Sequence, residues 1–447
     1  MTPCGVWEFR DGPYDVFWGS AVGSGKGGRV GRMRTLGVLA MLGVSSVFLA
    51  VGCGGAGGGS GGGGGAESVK IVSDLPLQGA NRAQTTTMVN AIRMAIEERN
   101  GKVGGVNIEY ESLDDATAQL GSWDPSKCAE NAQSAAQDEE VIGWIGPFNS
   151  GCAAVQIPIL NEAGLGMISP ANTYIGLTKP SPDKTEPEKY YPTGERNYTR
   201  VIVADDEQGQ AGALLMQDEG VKSVYILDDR NTYGQGLADQ VEKSAKELGI
   251  EVIGRQGIDG SASNYRSLMN RIAQANPDAI YFGGIFVDNA DQLLKDKVSA
   301  GMSNDDVLFI GPDGIFVDTL LSQAGDAAEG AYVTFGGLPE SELTPEGKQF
   351  VKKYEQQHDD EVQPYTAYSY EAANVMLDAI ERAAKEAGGA PDREAVLQQI
   401  FATEDYEGVL GTWSFDEDGD TTLTELSVQQ VQDGAFEYQR TIDAGEM

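Results

Sequence analysis

Short β-branched runs alternate with helix-like stretches along most of this chain. From Ser68 the runs SVKIVSDLP, VNIEYES and VIGWIG are each followed by a stretch with helical periodicity, and the alternation returns later with KSVYILDD, EVIGRQG, AIYFGG and VLFIGPDG. Such alternation predicts parallel sheets with helices on both faces, because parallel strands require long right-handed crossover connections. Two series of this kind predict an α/β protein with two doubly wound parallel-sheet lobes.

The segments between and after the two series have a different character. A proline-rich segment, KPSPDKTEPEKYYPTGERN, separates the series and is too long for a tight turn. After AYVTFGG the sequence predicts three further helices, of which TAYSYEAANVMLDAIERAAKEAGG is the clearest. The chain ends with GTWSFDEDGDTT and LSVQQVQDGAFEYQR, which together predict a terminal β-hairpin.

The N-terminal region has the layout of an export signal rather than of a folded element. Arg34 follows Met33 and precedes an apolar run over residues 36–50, with small residues before Cys53, as in a secretory signal peptide. At about 1.5 Å per residue this run is shorter than the roughly 30 Å hydrocarbon core, which disfavours a permanent spanning helix. The residues upstream show no such pattern. We therefore expect translation to start at Met33 and residues 1–52 to comprise an upstream extension and a signal peptide.

The segment LAVGC, which ends at Cys53, resembles the lipobox of bacterial lipoproteins. The resemblance implies that the thiol of Cys53 is lipidated, with palmitate among the acyl chains, and that this cysteine becomes the new N-terminus. Residues 53–67 are then the lipidated cysteine and a Gly-rich tether, a composition that predicts a flexible linker. The alternative is that Cys53 is a small residue near an ordinary cleavage site.

The charge balance argues against nucleic acid as a partner. The chain has 32 Lys and Arg residues against 68 Asp and Glu residues, for a formal net charge of -36. Such a charge repels nucleic-acid backbones and anionic membrane faces. Its ordinary interpretation is a solvated acidic surface that favours solubility.

The distribution of reactive side chains does not indicate an enzyme. The sole histidine, His358, lies in the acidic stretch YEQQHDDEV without a neighbouring Ser or Cys motif. The sequence contains no paired His and Cys and no carboxylate cluster with metal-ligand spacing, and DEDGD lacks the spacing of an EF-hand loop. We therefore predict no catalytic site, no metal and no cofactor.

Two of the four cysteines are candidates for a disulfide. Cys4 lies upstream of Met33 and Cys53 lies in the lipobox, which leaves Cys128 and Cys152. In an exported protein these two residues are expected to meet oxidising conditions, in which disulfides form and persist. The alternative is a pair of small buried thiols.

Polar groups stand at the carboxyl ends of predicted strands, where open α/β sheets bind their ligands. In WIGPFNSGCAAVQI, Ser150 follows a buried strand and precedes a helix, so its hydroxyl and the adjacent N–H groups could hold an anion. Ser150 would serve equally well as a helix cap. A second strand end, ISPANT, supplies the hydroxyl of Thr173, although loop chemistry alone explains a cluster of Ser, Pro, Asn and Thr.

The second series carries complementary groups. DDRNTYGQGLA places Tyr233 before a helix, and FIGPDGIF places Asp313 after a strand. Taken singly, Tyr233 could be a hydrophobic staple and Asp313 part of an ordinary Asp-Gly turn. Together, anion donors on one lobe and a phenol and a carboxylate on the other match a zwitterion, because buried charges must be paired and hydrogen-bonded.

The order of these motifs resembles a known family. The strings LPLQGANRAQTTTMVNAIRMAIEE, WIGPFNSGCAAVQIPIL, ISPANT, DDRNTYGQGLA, YFGGIF and FIGPDG are similar to those of type I periplasmic binding proteins, in the leucine/isoleucine/valine-binding branch that serves ABC importers. The resemblance covers the chain from Ser68 to its C-terminus and implies two lobes with a ligand cleft between them. It also implies three hinge crossovers, expected near Arg200, Gly336 and Gly411. Residues 68–199 and 336–410 are then the N-terminal lobe, and residues 200–335 and 411–447 are the C-terminal lobe.

The resemblance assigns roles to individual residues. The ligand α-carboxylate is held in that family by a serine and an Ala-x-Thr loop, which match Ser150, Ala171 and Thr173 here. The residues that meet the α-ammonium match Tyr233 and Asp313. We expect the side-chain pocket to consist of Gln84, Phe148, Asn149, Ile285 and Phe286.

The expected pocket departs from the family in two places. Family members often place an aromatic residue in the first strand-helix loop, where this chain has Gln84 nearby, and a tyrosine at the position of Ile285. The resemblance therefore implies an amino-acid-like ligand without specifying leucine.

The sequence as a whole predicts a monomeric, exported receptor. We expect Cys53 to anchor it through lipid to the outer face of the cytoplasmic membrane, where it delivers a small zwitterionic ligand to an ABC transporter permease. A sensor that uses the same cleft to signal to a membrane receptor is the alternative, and a hydrolase is less favoured.

Overall fold

The structure is a computed structural model that describes residues 67–446. Two separate sheets organise this part of the chain. In the order in which they pair, the six strands of the first sheet are β2 (Lys102–Val103), β3 (Val106–Asp114), β1 (Ser68–Leu75), β6 (Val141–Ile145), β7 (Met167–Ser169) and β8 (Tyr198–Arg200). The seven strands of the second sheet are β10 (Glu251–Gly257), β9 (Ser223–Asp228), β11 (Ala279–Gly283), β12 (Leu308–Gly311), β13 (Tyr332–Phe335), β16 (Glu425–Gln432) and β17 (Ala435–Asp443). The predicted signal peptide, the start at Met33, the lipidated Cys53 and the tether before residue 67 lie outside the described residues. Within 67–446, no helix combines the length and the apolar character that crossing a bilayer requires.

The first lobe begins with the predicted alternation of strand and helix. Its elements are β1 (Ser68–Leu75), α1 (Arg82–Glu98), β2 (Lys102–Val103), β3 (Val106–Asp114), β4 (Ala116–Thr117), β5 (Ser122–Trp123), α2 (Pro125–Gln137), β6 (Val141–Ile145), α3 (Ser150–Glu162), β7 (Met167–Ser169) and β8 (Tyr198–Arg200). Strands β3, β1, β6, β7 and β8 are parallel, whereas β2 adds an antiparallel edge. The short hairpin of β4 and β5 lies beyond the carboxyl end of β3.

The second lobe repeats the pattern. Its elements are α4 (Asp205–Asp218), β9 (Ser223–Asp228), α5 (Thr232–Glu247), β10 (Glu251–Gly257), α6 (Arg266–Ala275), β11 (Ala279–Gly283), α7 (Ala290–Ser299), β12 (Leu308–Gly311), α8 (Asp318–Ala324) and β13 (Tyr332–Phe335). All five residues of β11 are buried, as expected for a central parallel strand with helices on both faces.

Three helices return the chain to the first lobe. They are α9 (Pro345–His358), α10 (Thr366–Ala387) and α11 (Arg393–Phe401). Helix α10 packs along α1, because both helices present a continuous apolar face that includes Ile92 and Ile380.

The chain passes between the cores of the two lobes at three places. Ile202 packs in the core of the first lobe and Val203 in that of the second, just after β8. The second crossing follows β13, near Gly336. The third was expected near Gly411, but Trp413 and Phe415 pack in the core of the first lobe.

The late third crossing has a local cause. Strands β14 (Tyr406–Gly408) and β15 (Gly411–Trp413) pair with each other, and the indole N–H of Trp413 donates to Glu371 of α10 at 2.9 Å. The chain joins the second sheet only at β16 (Glu425–Gln432). The lobe boundary that we predicted at residue 411 therefore falls between Phe415 and Glu425.

The terminal hairpin is formed by residues 425–443 alone. Strands β16 and β17 (Ala435–Asp443) pair across Asp433 and Gly434, whose φ angles are 53° and 77°. Positive φ at both central residues is the arrangement that Asp-Gly favours in a tight hairpin. The predicted pairing of GTWSFDEDGDTT with LSVQQVQDGAFEYQR is therefore wrong, because the first of these stretches pairs with β14 instead.

The proline-rich segment packs against the first lobe through its tyrosines. Tyr190 and Tyr191 of the segment are buried with residues of β6 and α3, as is Tyr174, which precedes the segment. The carboxylate of Glu186 accepts hydrogen bonds from the hydroxyls of Tyr174 and Tyr190 at 2.6 and 2.7 Å. The segment is therefore tied down although it contains no strand or α-helix of its own between β7 and β8.

A disulfide joins Cys128 of α2 to Cys152 of α3, with their Cα atoms 5.7 Å apart. Among the described residues, Asp115 and these two cysteines are the one group of three close enough to hold a metal ion. Because the two sulfurs are bonded to each other, neither is available as a thiolate ligand. The bond fixes the start of α3, which carries Ser150, against α2.

Candidate functional site

The carboxyl ends of the strands of both sheets face a cleft between the lobes. The non-atom space between its walls is about 440 Å³, a figure that includes space open to solvent. Eight of the residues predicted for the site line this cleft, and they are Phe148, Asn149, Ser150, Ala171, Thr173, Tyr233, Ile285 and Asp313. No lysine, arginine or histidine is among the lining residues that the structure describes.

The first lobe supplies hydroxyl and backbone donors. Ser150 is the first residue of α3, where the backbone N–H groups have no partner within the helix. Its hydroxyl accepts a hydrogen bond from the N–H of Tyr174 at 3.3 Å, which holds the start of α3 against the loop that follows β7. Thr173 lies in that loop and is buried.

The loop after β7 is shaped by Ser169. The Oγ of Ser169 accepts the N–H groups of Ala171 at 3.2 Å and Asn172 at 2.9 Å, and donates to the carbonyl of Pro147 at 3.0 Å. Ala171 therefore lies in the cleft with its N–H already used. The carbonyl of Thr173 accepts the N–H of Asp205 at 2.8 Å and so links this loop to α4.

The second lobe supplies a buried carboxyl group. Asp313, in the turn after β12, is 6% exposed. Its Oδ1 accepts hydrogen bonds from the Tyr233 hydroxyl at 2.7 Å and from Gln208 Nε2 at 2.6 Å, and its Oδ2 accepts from the Tyr365 hydroxyl. Because Tyr365 belongs to the first lobe, Asp313 is hydrogen-bonded to both lobes at once.

Burial controls the electrostatics of this end of the cleft. Desolvation raises the pKa of Asp313, and the hydrogen bonds from Tyr365 and Tyr233 offset only part of that effect. Burial and the nearby Asp313 also raise the pKa of Asp205 well above its usual range. Two acidic groups thus lie close together out of water, an arrangement that a cation would stabilise.

Asp229 and Asp288 stabilise the loops after β9 and β11 through hydrogen bonds. The carboxylate of Asp229 accepts the N–H groups of Asn231 at 2.8 Å and Ile285 at 3.3 Å, and Asn231 Nδ2 donates to Asp288 at 3.0 Å. Burial and the neighbouring Asp229 raise the pKa of Asp288 to about 8. The pair therefore holds a proton near neutral pH and fixes the loop that presents Ile285 to the cleft.

Two aromatic residues that the sequence did not indicate also line the cleft. Trp123, in the β4-β5 hairpin, lies so close to Gly151 that a Cβ atom there would overlap its ring. Tyr365, before α10, contacts Phe148 and Phe335 edge to face, with ring centroids 5.2 Å apart in each pair. Trp123 of the β4-β5 hairpin thus gives the cleft an aromatic wall, whereas the first strand-helix loop has Gln84 nearby instead of an aromatic residue.

Two predicted pocket residues do not line the cleft. Gln84 is buried in the first turns of α1, and Phe286 packs in the core of the second lobe. Ile285 precedes a short 3-10 turn, and this turn directs the next side chain away from the cleft. The prediction for Gln84 and Phe286 is therefore corrected, because neighbouring loop residues need not share a direction.

Comparison with known proteins gives one family and several similar chains. The family model described as periplasmic binding protein matches residues 68–435. A Leu/Ile/Val-binding protein homolog 2 of Brucella abortus is 30% identical over 370 residues, which cover 81% of this chain and 91% of that protein. A leucine-, isoleucine-, valine-, threonine-, and alanine-binding protein of Pseudomonas aeruginosa is 27% identical, with 82% and 90% covered. The crystal structure of a leucine binding protein of Thermotoga maritima has a TM-score of 0.73 at 26% identity, and covers 85% of this chain and 100% of that one.

Proposed function

This chain belongs to the periplasmic binding protein family, and we propose that it is an extracytoplasmic receptor that captures an amino acid or a close relative of one. The observation that carries the proposal is that Ser150 and Thr173 of one lobe line the same cleft as Asp313 of the other. An amino acid has one negative and one positive group, and each is costly to bury unless it is paired. The cleft offers hydrogen-bond donors for the first and an acid for the second.

The α-carboxylate of the ligand belongs, in this proposal, with the first lobe. The start of α3 attracts an anion because Ser150 and Gly151, the first two residues of the helix, line the cleft at the positive end of the helix dipole. The hydroxyls of Ser150 and Thr173 add two further donors. Ala171 contributes shape rather than a donor, because its N–H already donates to Ser169.

The α-ammonium belongs with Asp313 and Tyr233. The three hydrogen bonds that Asp313 accepts from Gln208, Tyr233 and Tyr365 fix the orientation of its carboxylate without neutralising its charge. An ammonium group supplies that neutralising charge in a site from which water is largely excluded. Charge-assisted hydrogen bonds of this kind are about twice as strong as neutral ones.

Ligand capture is coupled to closure of the lobes. A ligand that is held by groups of both lobes has a higher affinity for the closed form, so it shifts the population toward closure. We propose that the closed receptor delivers its ligand to the permease of an ABC importer. Lipidation of Cys53, which lies outside the described residues, would keep the receptor at the outer face of the membrane. The names of the Brucella and Pseudomonas relatives support an amino-acid ligand.

A thermal-shift screen with free amino acids, short peptides and aromatic acids tests the proposal on the purified chain that begins at Cys53. A subset of amino acids should raise the free energy of unfolding by about 2.7 kcal/mol at a hundredfold excess over Kd. The N-acetyl and methyl ester derivatives of each hit should give no shift, because they lack the ammonium or the carboxylate charge. Equal shifts for all compounds, or a response to the derivatives, would contradict an amino-acid receptor.

A further inference from the structure

The wall of the cleft contains a buried acceptor without a partner. Asn149 precedes α3 with an extended backbone, at φ -94° and ψ 134°, and is 8% exposed. An asparagine at this position commonly accepts an N–H of the helix, but the side chain of Asn149 makes no such bond. Its Oδ1 accepts no hydrogen bond from any residue that the structure describes.

The unpaired carboxamide oxygen of Asn149 affects which ligand side chains can bind in the cleft. A buried acceptor that loses its water without gaining a donor destabilises the complex, whereas a donor on the ligand removes the penalty. Asn149 lines the cleft, so a bound side chain decides which of the two occurs. A purely aliphatic side chain would leave the oxygen of Asn149 unpaired.

The surroundings of Asn149 restrict the charge of that side chain. Since the described lining residues include no lysine, arginine or histidine, an acidic side chain would find no partner. Asp229 also lines the cleft, but it already accepts the N–H groups of Asn231 and Ile285 and interacts with Asp288. A basic side chain therefore gains little from Asp229.

Aromatic and polar residues complete the lining of the cleft. The rings of Trp123, Phe148 and Tyr365 enclose it from the first lobe. Asn231 and Thr232, at the start of α5, face it from the second. The lining of the cleft thus combines aromatic walls with polar side chains from both lobes.

We propose that the receptor selects an uncharged amino acid whose side chain donates a hydrogen bond, with a hydroxyl or carboxamide group, over an aliphatic amino acid of the same shape. This inference rests on the proposed function and narrows its ligand class. The donor pairs with Asn149 Oδ1, and the carbon atoms of the side chain contact the aromatic walls. Such sites discriminate strongly, because the wrong ligand leaves a buried polar group unpaired.

Two isosteric pairs of ligands test this inference by isothermal titration calorimetry with the full mature chain. Asparagine has a polar carboxamide where leucine has an apolar branched end of similar shape. Threonine has a hydroxyl group where valine has a methyl group. We expect the donor-bearing member of at least one pair to bind about tenfold more tightly than its isostere. The inference is overturned if leucine and valine bind more tightly than asparagine and threonine, or if ornithine or glutamate binds more tightly than any of these four. Either result would still be consistent with an amino-acid receptor. No binding of any amino acid overturns both the inference and the receptor function.

An Asn149→Leu variant provides the reciprocal test. It replaces the carboxamide by an apolar group of similar shape, so the preference within each pair should reverse. Asn149→Ala removes the oxygen and should abolish the preference within each ligand pair. This variant replaces Asn149→Leu in the test if the leucine variant does not fold. Asn264→Leu makes the same change at an exposed position and should leave all affinities unchanged. An unchanged preference in both Asn149 variants would show that the oxygen plays no part.

Discussion

Arg200 and Asp420 form a buried ion pair that joins the first crossing between the lobes to the third. Nε of Arg200 donates to Oδ1 of Asp420 at 2.7 Å, and the two side chains are 0% and 4% exposed. Burial alone would raise the pKa of Asp420, but the charge of Arg200 holds it below its usual value. Nη1 of Arg200 also donates to the carbonyl of Tyr174 at 2.9 Å, so the pair steadies the loop that carries Thr173.

Removal of one partner should be strongly destabilising. Asp420→Ala leaves the guanidinium of Arg200 buried without its counter-charge, so we expect the free energy of unfolding to fall by about 3–5 kcal/mol. Urea denaturation of the two proteins measures this difference. Asp218→Ala is the matched control, because Asp218 pairs with Arg440 at the surface and such pairs contribute about 0–1 kcal/mol. Equal losses in the two variants would contradict the special role of the buried pair.

Asp313→Asn should abolish ligand binding while the fold persists. The substitution keeps the shape and the acceptor for Tyr233 but removes the charge that the ligand ammonium requires, so affinity should fall at least about a hundredfold. Calorimetry with the best ligand of the screen measures the loss. Asp318→Asn, an exposed acid five residues later, is the control. An affinity within about threefold of the original would rule out Asp313 as the ammonium partner.

Gly236→Ala should weaken ligand binding by obstructing closure. Gly236 lies in α5 of the second lobe, and a Cβ atom there would overlap the ring of Tyr174 of the first lobe. Alanine favours a helix over glycine by about 1 kcal/mol, so the unliganded protein should not lose stability. We expect an affinity at least about tenfold weaker and a larger radius of gyration by small-angle X-ray scattering.

Two controls accompany the Gly236 experiment. Gln235→Ala, on the exposed face of the same helix, should have no effect on affinity. Adding Tyr174→Ala to the Gly236 variant should restore part of the lost affinity, because it removes the overlapping ring. A double variant as weak as Gly236→Ala alone would refute this explanation.

The stability of the first lobe should decline as the pH rises toward neutrality. Glu371 is 1% exposed and accepts hydrogen bonds from the Val409 N–H at 3.0 Å and the Trp413 indole at 2.9 Å, and burial raises its pKa from 4.5 to about 7. The folded protein therefore retains a proton that the unfolded chain releases above about pH 4.5. The resulting stabilisation is complete below that pH and is lost as the pH rises through about 7.

A Glu371→Gln variant isolates this contribution. Glutamine stays neutral at every pH, so the difference in unfolding free energy between the two proteins should change by on the order of 3 kcal/mol from pH 4.5 to pH 8. Urea denaturation at several pH values measures it. A residual slope in the variant is expected, because the pKa values of Asp74 and Asp288 are also raised, to about 7 and about 8. Parallel pH profiles for both proteins would contradict the assignment.

Reduction of the disulfide should lower the melting temperature. Cys128 and Cys152 are 24 residues apart, and closing a loop of that length contributes about 3 kcal/mol in the chain-entropy model. Thermal unfolding with and without dithiothreitol measures the effect. A Cys128→Ser, Cys152→Ser variant should melt at the lower temperature and be insensitive to the reductant. Identical melting of the oxidised and reduced proteins would show that the bond does not contribute to stability.

The sequence by itself determined the fold class and the placement of Ser150 and Asp313 at strand ends. The alternation of strands and helices predicts parallel sheets, and parallel strands bring their carboxyl ends to one edge, where Ser150 and Asp313 line the cleft. The roles proposed for these two residues came from the family resemblance. The inferences on fold class and placement depend on the periodicity of apolar residues and on the order of the elements, both of which can be read directly from the sequence.

The tertiary structure decided the pocket, the third crossing and the hairpin. Trp123 and Tyr365 reach the cleft from segments far apart in the chain, and Ile285 enters it while Phe286 turns into the core. No periodic pattern encodes either result, because each depends on the direction of a side chain in an irregular loop and on which distant surface packs against it. Trp413 likewise keeps residues 411–415 in the first lobe through its bond to Glu371 of α10, a contact between segments 42 residues apart.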